Sequence, residues 1–207
     1  MTQSDLKNLF DGKDGLMGCD WSHHQSPLLD SDISDFDFFI HKLTEGASFR
    51  DRYCGERIMR HCANKPCIVY HFFRSDTATG EQNFSNFVRN LGGFAGCRLG
   101  LAIDLETDGK GRYCPLTEHS KEELKKFLQL FFEEYPDAFL FVYTGADGWK
   151  YFKSLFKGLN VIPWIARWSK DQPKVDWYIW QFSDKPYDLD VCKGSMQDLV
   201  YKLTLIK

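Results

Sequence analysis

Short apolar runs of strand-like composition recur along the chain. They lie at residues 16–20, 38–43, 67–72, 101–106, 139–143, 161–165 and 177–182, with a weaker one at 187–191. Between several of them the apolar period lengthens to that of a helix. The clearest case is 120–135, where Leu124, Phe127, Leu128 and Phe131 fall at i, i+3, i+4 and i+7 behind a Ser120-x-x-Glu123 capping box. A second covers 147–157, with Trp149, Phe152 and Phe156 on one face and Gly158 as its stop. Less regular helical patterns occupy 49–63, 80–91 and 195–203. Strand–helix alternation predicts an α/β domain with a largely parallel sheet, and this number of strands predicts closure into a barrel. The stretch 165–177, which contains Pro173, and the shorter 182–187 leave no room for a crossover helix with its loops. The expected fold is an irregular, single-domain β/α barrel, TIM-barrel-like with helices missing in its second half. It spans 16–207 behind an N-terminal extension of residues 1–15.

Composition narrows the function classes. A net charge of −3 argues against nucleic acid or an anionic membrane as the main partner, since both need a basic face. No apolar run approaches the length of a membrane span. The N-terminus carries Asp5, Lys7, Asp11, Lys13 and Asp14 where a signal peptide would be apolar, so no secretory address is read in it. Aromatic residues make up 16 % of the chain, enough to fill a core and also to line a sugar-binding groove. The seven cysteines form no CxxC, which removes a zinc knuckle or a thioredoxin-type pair. They read as small buried residues, or as one or two disulfides.

Polar residues that apolar strands should not contain gather at the strand ends. Asp20 ends the first run, Glu45 follows the second, and His71 lies at the end of the third. Asp104 and Glu106 close the fourth, Tyr143 the fifth, Gln181 the seventh, and Asp188 belongs to the last. In a β/α barrel that rim is where sites are built. Asp104-Leu105-Glu106 is the sharpest signal, because residues i and i+2 of a strand share one face. Two carboxylates on one partly dry face cannot both ionise cheaply, so one is held as a proton donor. A glycosidic bond needs that pair: an acid for the leaving oxygen and a carboxylate for the cationic centre. A second reading assembles Asp20, His71, Asp104 and Glu106 as a metal site; the alternative for His23 or His24 is a loop residue hydrogen-bonding the rim. No GxSxG supports a serine nucleophile.

The ordered set of motifs resembles the family 25 glycoside hydrolases, the Chalaropsis-type lysozymes. It comprises Gly18-Cys19-Asp20-Trp21-Ser22-His23-His24-Gln25, Lys42-Leu43-Thr44-Glu45-Gly46, Tyr70-His71-Phe72, Asp104-Leu105-Glu106, Pro163-Trp164-Ile165-Ala166 and Trp180-Gln181-Phe182, ending in Tyr187-Asp188-Leu189-Asp190. The resemblance implies a lysozyme that hydrolyses the β-1,4 bond between N-acetylmuramic acid and N-acetylglucosamine in bacterial peptidoglycan. By position it implies Glu106 as catalytic acid, Asp104 as the group assisting the substrate acetamido, and Asp20 and Asp188 as the remaining carboxylates. Tyr143 and Trp164 would form an aromatic wall, with His71, Gln181 and Glu45 as further substrate contacts. No metal or organic cofactor is implied. The site of action would be the extracytoplasmic cell wall, reached by secretion or phage delivery. Departures are Trp21 for a small aliphatic residue, Asp190 for Asn, and a short stretch between Gln25 and Phe38 that would alter the groove edge. The competing readings are a non-catalytic peptidoglycan-binding module and a metal-dependent peptidoglycan hydrolase or deacetylase.

Overall fold

The computed structural model describes residues 10, 12–25, 36–185 and 187–207. Strands β1 (Leu16–Trp21), β2 (Phe38–Glu45), β4 (Cys67–Phe72), β5 (Arg98–Asp104), β6 (Leu140–Gly145), β7 (Val161–Ala166), β8 (Ile179–Ser183) and β9 (Asp188–Cys192) close into a barrel. Their order is β1-β9-β8-β7-β6-β5-β4-β2, and β2 returns to β1. The strands from β1 through β2 and β4 to β8 pair in parallel, while β9 runs antiparallel to both β8 and β1. Two short strands lie off the barrel wall: β3 (Phe49–Arg50) folds back on β2, and β10 (Thr204–Leu205) pairs with β5.

The helices are α1 (Cys54–His61), α2 (Gly80–Leu91), α3 (Glu118–Glu134), α4 (Ala146–Phe152) and α5 (Met196–Tyr201). Among the described residues no helix falls between β7 and β9, as the short spacings predicted. None is long and apolar enough to cross a membrane.

Several expected boundaries move. The helix expected over 49–63 starts only at Cys54, because Phe49 and Arg50 pair with β2. The helix expected from Ser120 starts at Glu118, and the Thr117 hydroxyl, not that of Ser120, accepts the capping bond from the Ser120 amide. Glu123 is therefore free to cap a different helix, its carboxylate accepting from the Gly80 amide of α2 at 2.6 Å. The helix expected over 147–157 tightens into a 3₁₀ turn at Lys153–Phe156.

Alternation along the strands divides the core. Phe38, Ile40, Ile68, Tyr70, Ala102, Phe141, Tyr143, Trp164 and Ile179 fill the barrel interior. Their neighbours Phe39, Leu43, Val69, Leu101, Ile103 and Val142 face outward under the helices with Phe87, Phe127 and Phe131. Gly18 makes this interior possible, since a Cβ there would lie 2.2 Å from the Phe38 ring. Phe10, within the stretch read as an N-terminal extension, is buried against Phe36 and Phe182. Cys62 and Cys67 form a disulfide between the end of α1 and the start of β4, and Cys19, Cys54, Cys114 and Cys192 are buried thiols. Most of the stretch between Gln25 and Phe38 lies outside the described residues.

Candidate active site

The same alternation that fills the barrel sets what stands at its mouth. Two residues beyond the interior positions Gly18, Ile40, Tyr70 and Ala102 come Asp20, Lys42, Phe72 and Asp104. All four line one open cavity of about 530 Å³ at the C-terminal rim. Glu106, just past the end of β5, lines the same cavity, and Leu105 between the two carboxylates is buried in the outer core. Asp188 joins them from the start of β9: antiparallel pairing sets Asp188 opposite Asp20, so the first residue of β9 reaches the rim where the other strands end.

Burial dominates the electrostatics. Asp104 is buried and its carboxyl is pushed well above the usual range, by desolvation first and by the Glu106 charge next. Its Oδ1 is sealed from solvent and has no hydrogen-bond donor among the described residues. Glu106 is also raised by burial, with the Lys42 charge pulling the other way. Asp188 is pushed up to about 8 by burial and by the charges of Asp20, Asp184 and Glu106, against one hydrogen bond from Gln25.

Beneath this layer a hydrogen-bond chain fixes the floor. Tyr143 and Trp168 both donate to Gln181 Oε1 at 2.8 Å, and Gln181 Nε2 donates to Asp20 at 2.7 Å. Trp164 donates to Asp190 at 2.8 Å and packs edge-on to Tyr143 with ring centroids 4.5 Å apart. Asp20 is raised by burial first and by the charge of Asp190 next. Burial raises Asp190 to about 7. At the other side of the mouth Glu45 is ion-paired to Lys42 at 2.6 Å and Arg74 at 2.8 Å. Those two partners outweigh its partial burial and lower its pKa.

Of the residues singled out in the sequence, Asp20, Glu45, Asp104, Glu106, Tyr143, Trp164, Gln181 and Asp188 line this groove. His71 does not. Alternation gives the groove side to Tyr70 and Phe72 and turns His71 outward between β4 and the helices. There it is bonded to Thr44 and Asn83, both at 2.8 Å, and stacked on Phe127. The metal set that included it is therefore not assembled, and no other group of three or more His, Cys, Asp or Glu among the described residues is placed to hold a metal. His24 lines the groove, while His23 sits 3.6 Å from Asp51. The sequence reading missed Lys42, Tyr70, Arg74, Arg112, Tyr113 and Trp168. Lys42 and Tyr70 carried a signal, as the inward partners of Ile40 and Ile68 in period-2 strands.

These carboxyls make stability depend on pH in a defined direction. A carboxyl raised in the folded state keeps a proton that the unfolded chain has released, so stability falls as pH rises toward its folded pKa. His71, held down to about 4 by burial, and His41, lowered for the same reason, act oppositely, but only below the ordinary histidine pKa of 6.5. Between about pH 6.5 and 8 the carboxyls alone remain in play. We expect the melting temperature to fall across that window, and Asp188→Asn to flatten the slope. Thermal unfolding at half-unit pH steps checks both, and a rising curve would contradict this assignment of protons.

The sequence profile of glycosyl hydrolases family 25 matches residues 19–191. Among curated proteins no sequence matches the chain. Solved structures similar to it include a family GH25 lysozyme from Aspergillus fumigatus, 25 % identical with a TM-score of 0.78, covering 92 % of this chain and 100 % of that one. A bacterial lysozyme from Streptomyces coelicolor is 22 % identical with a TM-score of 0.79, over 92 % of this chain and 97 % of its own. A muramidase from Trichobolus zukalii is 22 % identical at 0.75, over 90 % and 98 %. The profile match begins in β1 and ends in β9, taking in every strand of the barrel and both carboxylates of the Asp104–Glu106 pair, so the chain belongs to glycosyl hydrolases family 25 and is a glycoside hydrolase.

Proposed function

We propose that the chain is an N-acetylmuramidase, cutting the β-1,4 bond between N-acetylmuramic acid and N-acetylglucosamine in bacterial peptidoglycan. The observation that carries this reading is the Asp104 carboxyl, which lines the groove beside Glu106 and accepts no hydrogen bond from the described residues. A 2-acetamido sugar brings the missing donor, its amide N–H. Accepting that bond favours the ionised form of Asp104. The proton that the crowded pair retains is then left on Glu106, which protonates the leaving glycosidic oxygen. Asp104 meanwhile holds the acetamido group against the anomeric centre, where positive charge develops. Asp20 and Asp188 line the same groove as further polar contacts, and Tyr143 and Trp164 offer an aromatic wall to a sugar face.

Action on the cell wall outside the cytoplasm follows from this substrate. The relatives support it: similar structures include endolysins, one of them the Cpl-1 endolysin complexed with a peptidoglycan analogue.

The experiment is mass spectrometry of the products from purified peptidoglycan, with and without chelator. Muropeptides ending in reducing N-acetylmuramic acid, unaffected by chelator, are expected. Cut peptides or released acetyl groups on intact strands would replace this reading with a different hydrolase. Tight binding without any product would leave a binding module.

A further inference from the structure

Across the barrel from β8 and β9, the groove wall carries basic side chains, two of which, Lys42 and Arg74, are ion-paired to Glu45 in the same wall. Three cations from three different elements line it: Lys42 on β2, Arg74 after β4 and Arg112 after β5. They surround two aromatic rings, Phe72 and Tyr113, set edge-to-face at 5.3 Å. Lys42 Nζ lies 4.5 Å from the Phe72 ring centroid, and the guanidinium carbons of Arg74 and Arg112 lie 4.9 and 5.3 Å from that of Tyr113.

Tyr113 has φ +69°, the single non-glycine residue with positive φ among those described. Backbone strain of this kind persists only where the surroundings hold it. Here the Tyr113 carbonyl accepts from the Ser75 and Asp76 amides at 3.0 and 3.1 Å, and Thr107 bridges to the same residue. The two arginines are tethered from behind. Asp76 grips Arg74 through two bonds and Asp108 grips Arg112 Nε at 2.6 Å, and neither aspartate lines the cavity. Both terminal amino groups of Arg112 are left without a partner among the described residues, and its side chain is 61 % exposed.

A fork of guanidinium N–H groups held from the rear matches a planar carboxylate better than a neutral sugar. The glycan proposed as substrate is neutral along its backbone. Its anionic groups are the carboxylates on the peptide attached to the muramic acid lactyl ether. Such a carboxylate is attracted to the terminal amino groups of Arg112. We propose that Arg112 forms a subsite for a carboxylate on the peptide arm of the glycan. The inference rests on the muramidase reading for the substrate's identity.

The test measures binding, so that it stands apart from turnover. The full chain carrying Glu106→Gln is titrated with soluble glycan strands that keep their peptide stems, and with strands stripped of stems by an amidase. Arg112→Ala in that background should raise Kd by about fivefold for stem-bearing strands and by less than twofold for stripped ones. Arg112→Lys, which keeps the charge and loses the fork, should fall between. The difference should shrink as salt rises from about 0.05 to 0.5 M, because the arginine is exposed. Equal weakening for both strand types would overturn the proposal, assigning Arg112 to the sugar backbone or to loop support. A loss confined to strands that carry phosphodiester polymers and no peptide would overturn it in favour of a phosphate ligand. In parallel, stripped strands are given to the wild-type protein. Binding without new reducing ends would count against the muramidase reading and leave the Kd comparison intact.

Discussion

Replacing Glu106 by Gln should lower the rate of peptidoglycan hydrolysis by about 10²–10⁴-fold, with folding unchanged. The substitution keeps shape and polarity and removes only the transferable proton. The loss corresponds to roughly 2.7–5.5 kcal/mol of transition-state stabilisation. Two features of the site argue for this size. Glu106 lies where the main groove meets a second, more apolar cavity of about 390 Å³ lined by Leu105, Leu116, Ala146 and Trp168. A donor on that boundary reaches an oxygen joining two sugars, one seated on each side. Burial also holds its pKa above the usual glutamate value, so the proton is kept to higher pH than on a free glutamate although the Lys42 charge works against it. Initial rates of reducing-end formation measure the effect, and a matching thermal melt shows that the fold is intact. A variant with a tenth of wild-type activity would remove Glu106 from the acid role.

The barrel was legible because its signal is periodic. Every expected run of alternating or continuous apolar residues became a wall strand, and among the described residues the gaps too short for crossover helices at 165–177 and 182–187 contain none. The rim carboxylates were legible for the same reason, as charges in positions that otherwise pack. What failed needed tertiary information. Whether Ser120 or Thr117 caps α3 depends on Glu123, which the sequence offers to its own helix and the fold gives to Gly80. His71 resembled a rim residue by position, but parity settles its side, and its flanking residues Tyr70 and Phe72 take the groove. Asp188 was singled out and does line the groove, but the antiparallel direction of β9 that brings its first residue to the rim is announced by no local pattern. Arg112 and Tyr113 sit in an irregular loop whose shape depends on hydrogen bonds to Ser75 and Asp76, far away in sequence. Asp190 stood out only as a departure from the family's asparagine. The structure gives it a concrete consequence, a second buried carboxyl under the groove floor whose charge raises Asp20.

Asp104→Asn should show the opposite behaviour in activity and stability. Activity should drop by about 10²–10³-fold, the scale for removing one preorganised electrostatic contact to a developing charge. Asparagine can still accept the acetamido N–H, but it offers no negative charge to the cationic centre. Stability should rise instead. In the folded protein Asp104 either ionises in a buried place with Glu106 nearby, or keeps a proton that the unfolded chain would lose at neutral pH. Both options cost free energy that a neutral side chain avoids. The gain therefore belongs to the pH range above the ordinary aspartate pKa of 3.8 and should vanish as pH falls toward it. At pH 7 a gain of ~1 kcal/mol would raise Tm by about 2–4 °C in a chain of this size. At pH 4 the two proteins should melt together. A variant that loses activity and also loses stability at pH 7 would mean that Asp104 is held by contacts rather than strained for its task. The want of a hydrogen-bond donor to Asp104 would then be no sign of a waiting substrate. A stabilised, inactive variant with that pH dependence is what a group placed for substrate binding at the expense of the empty fold requires.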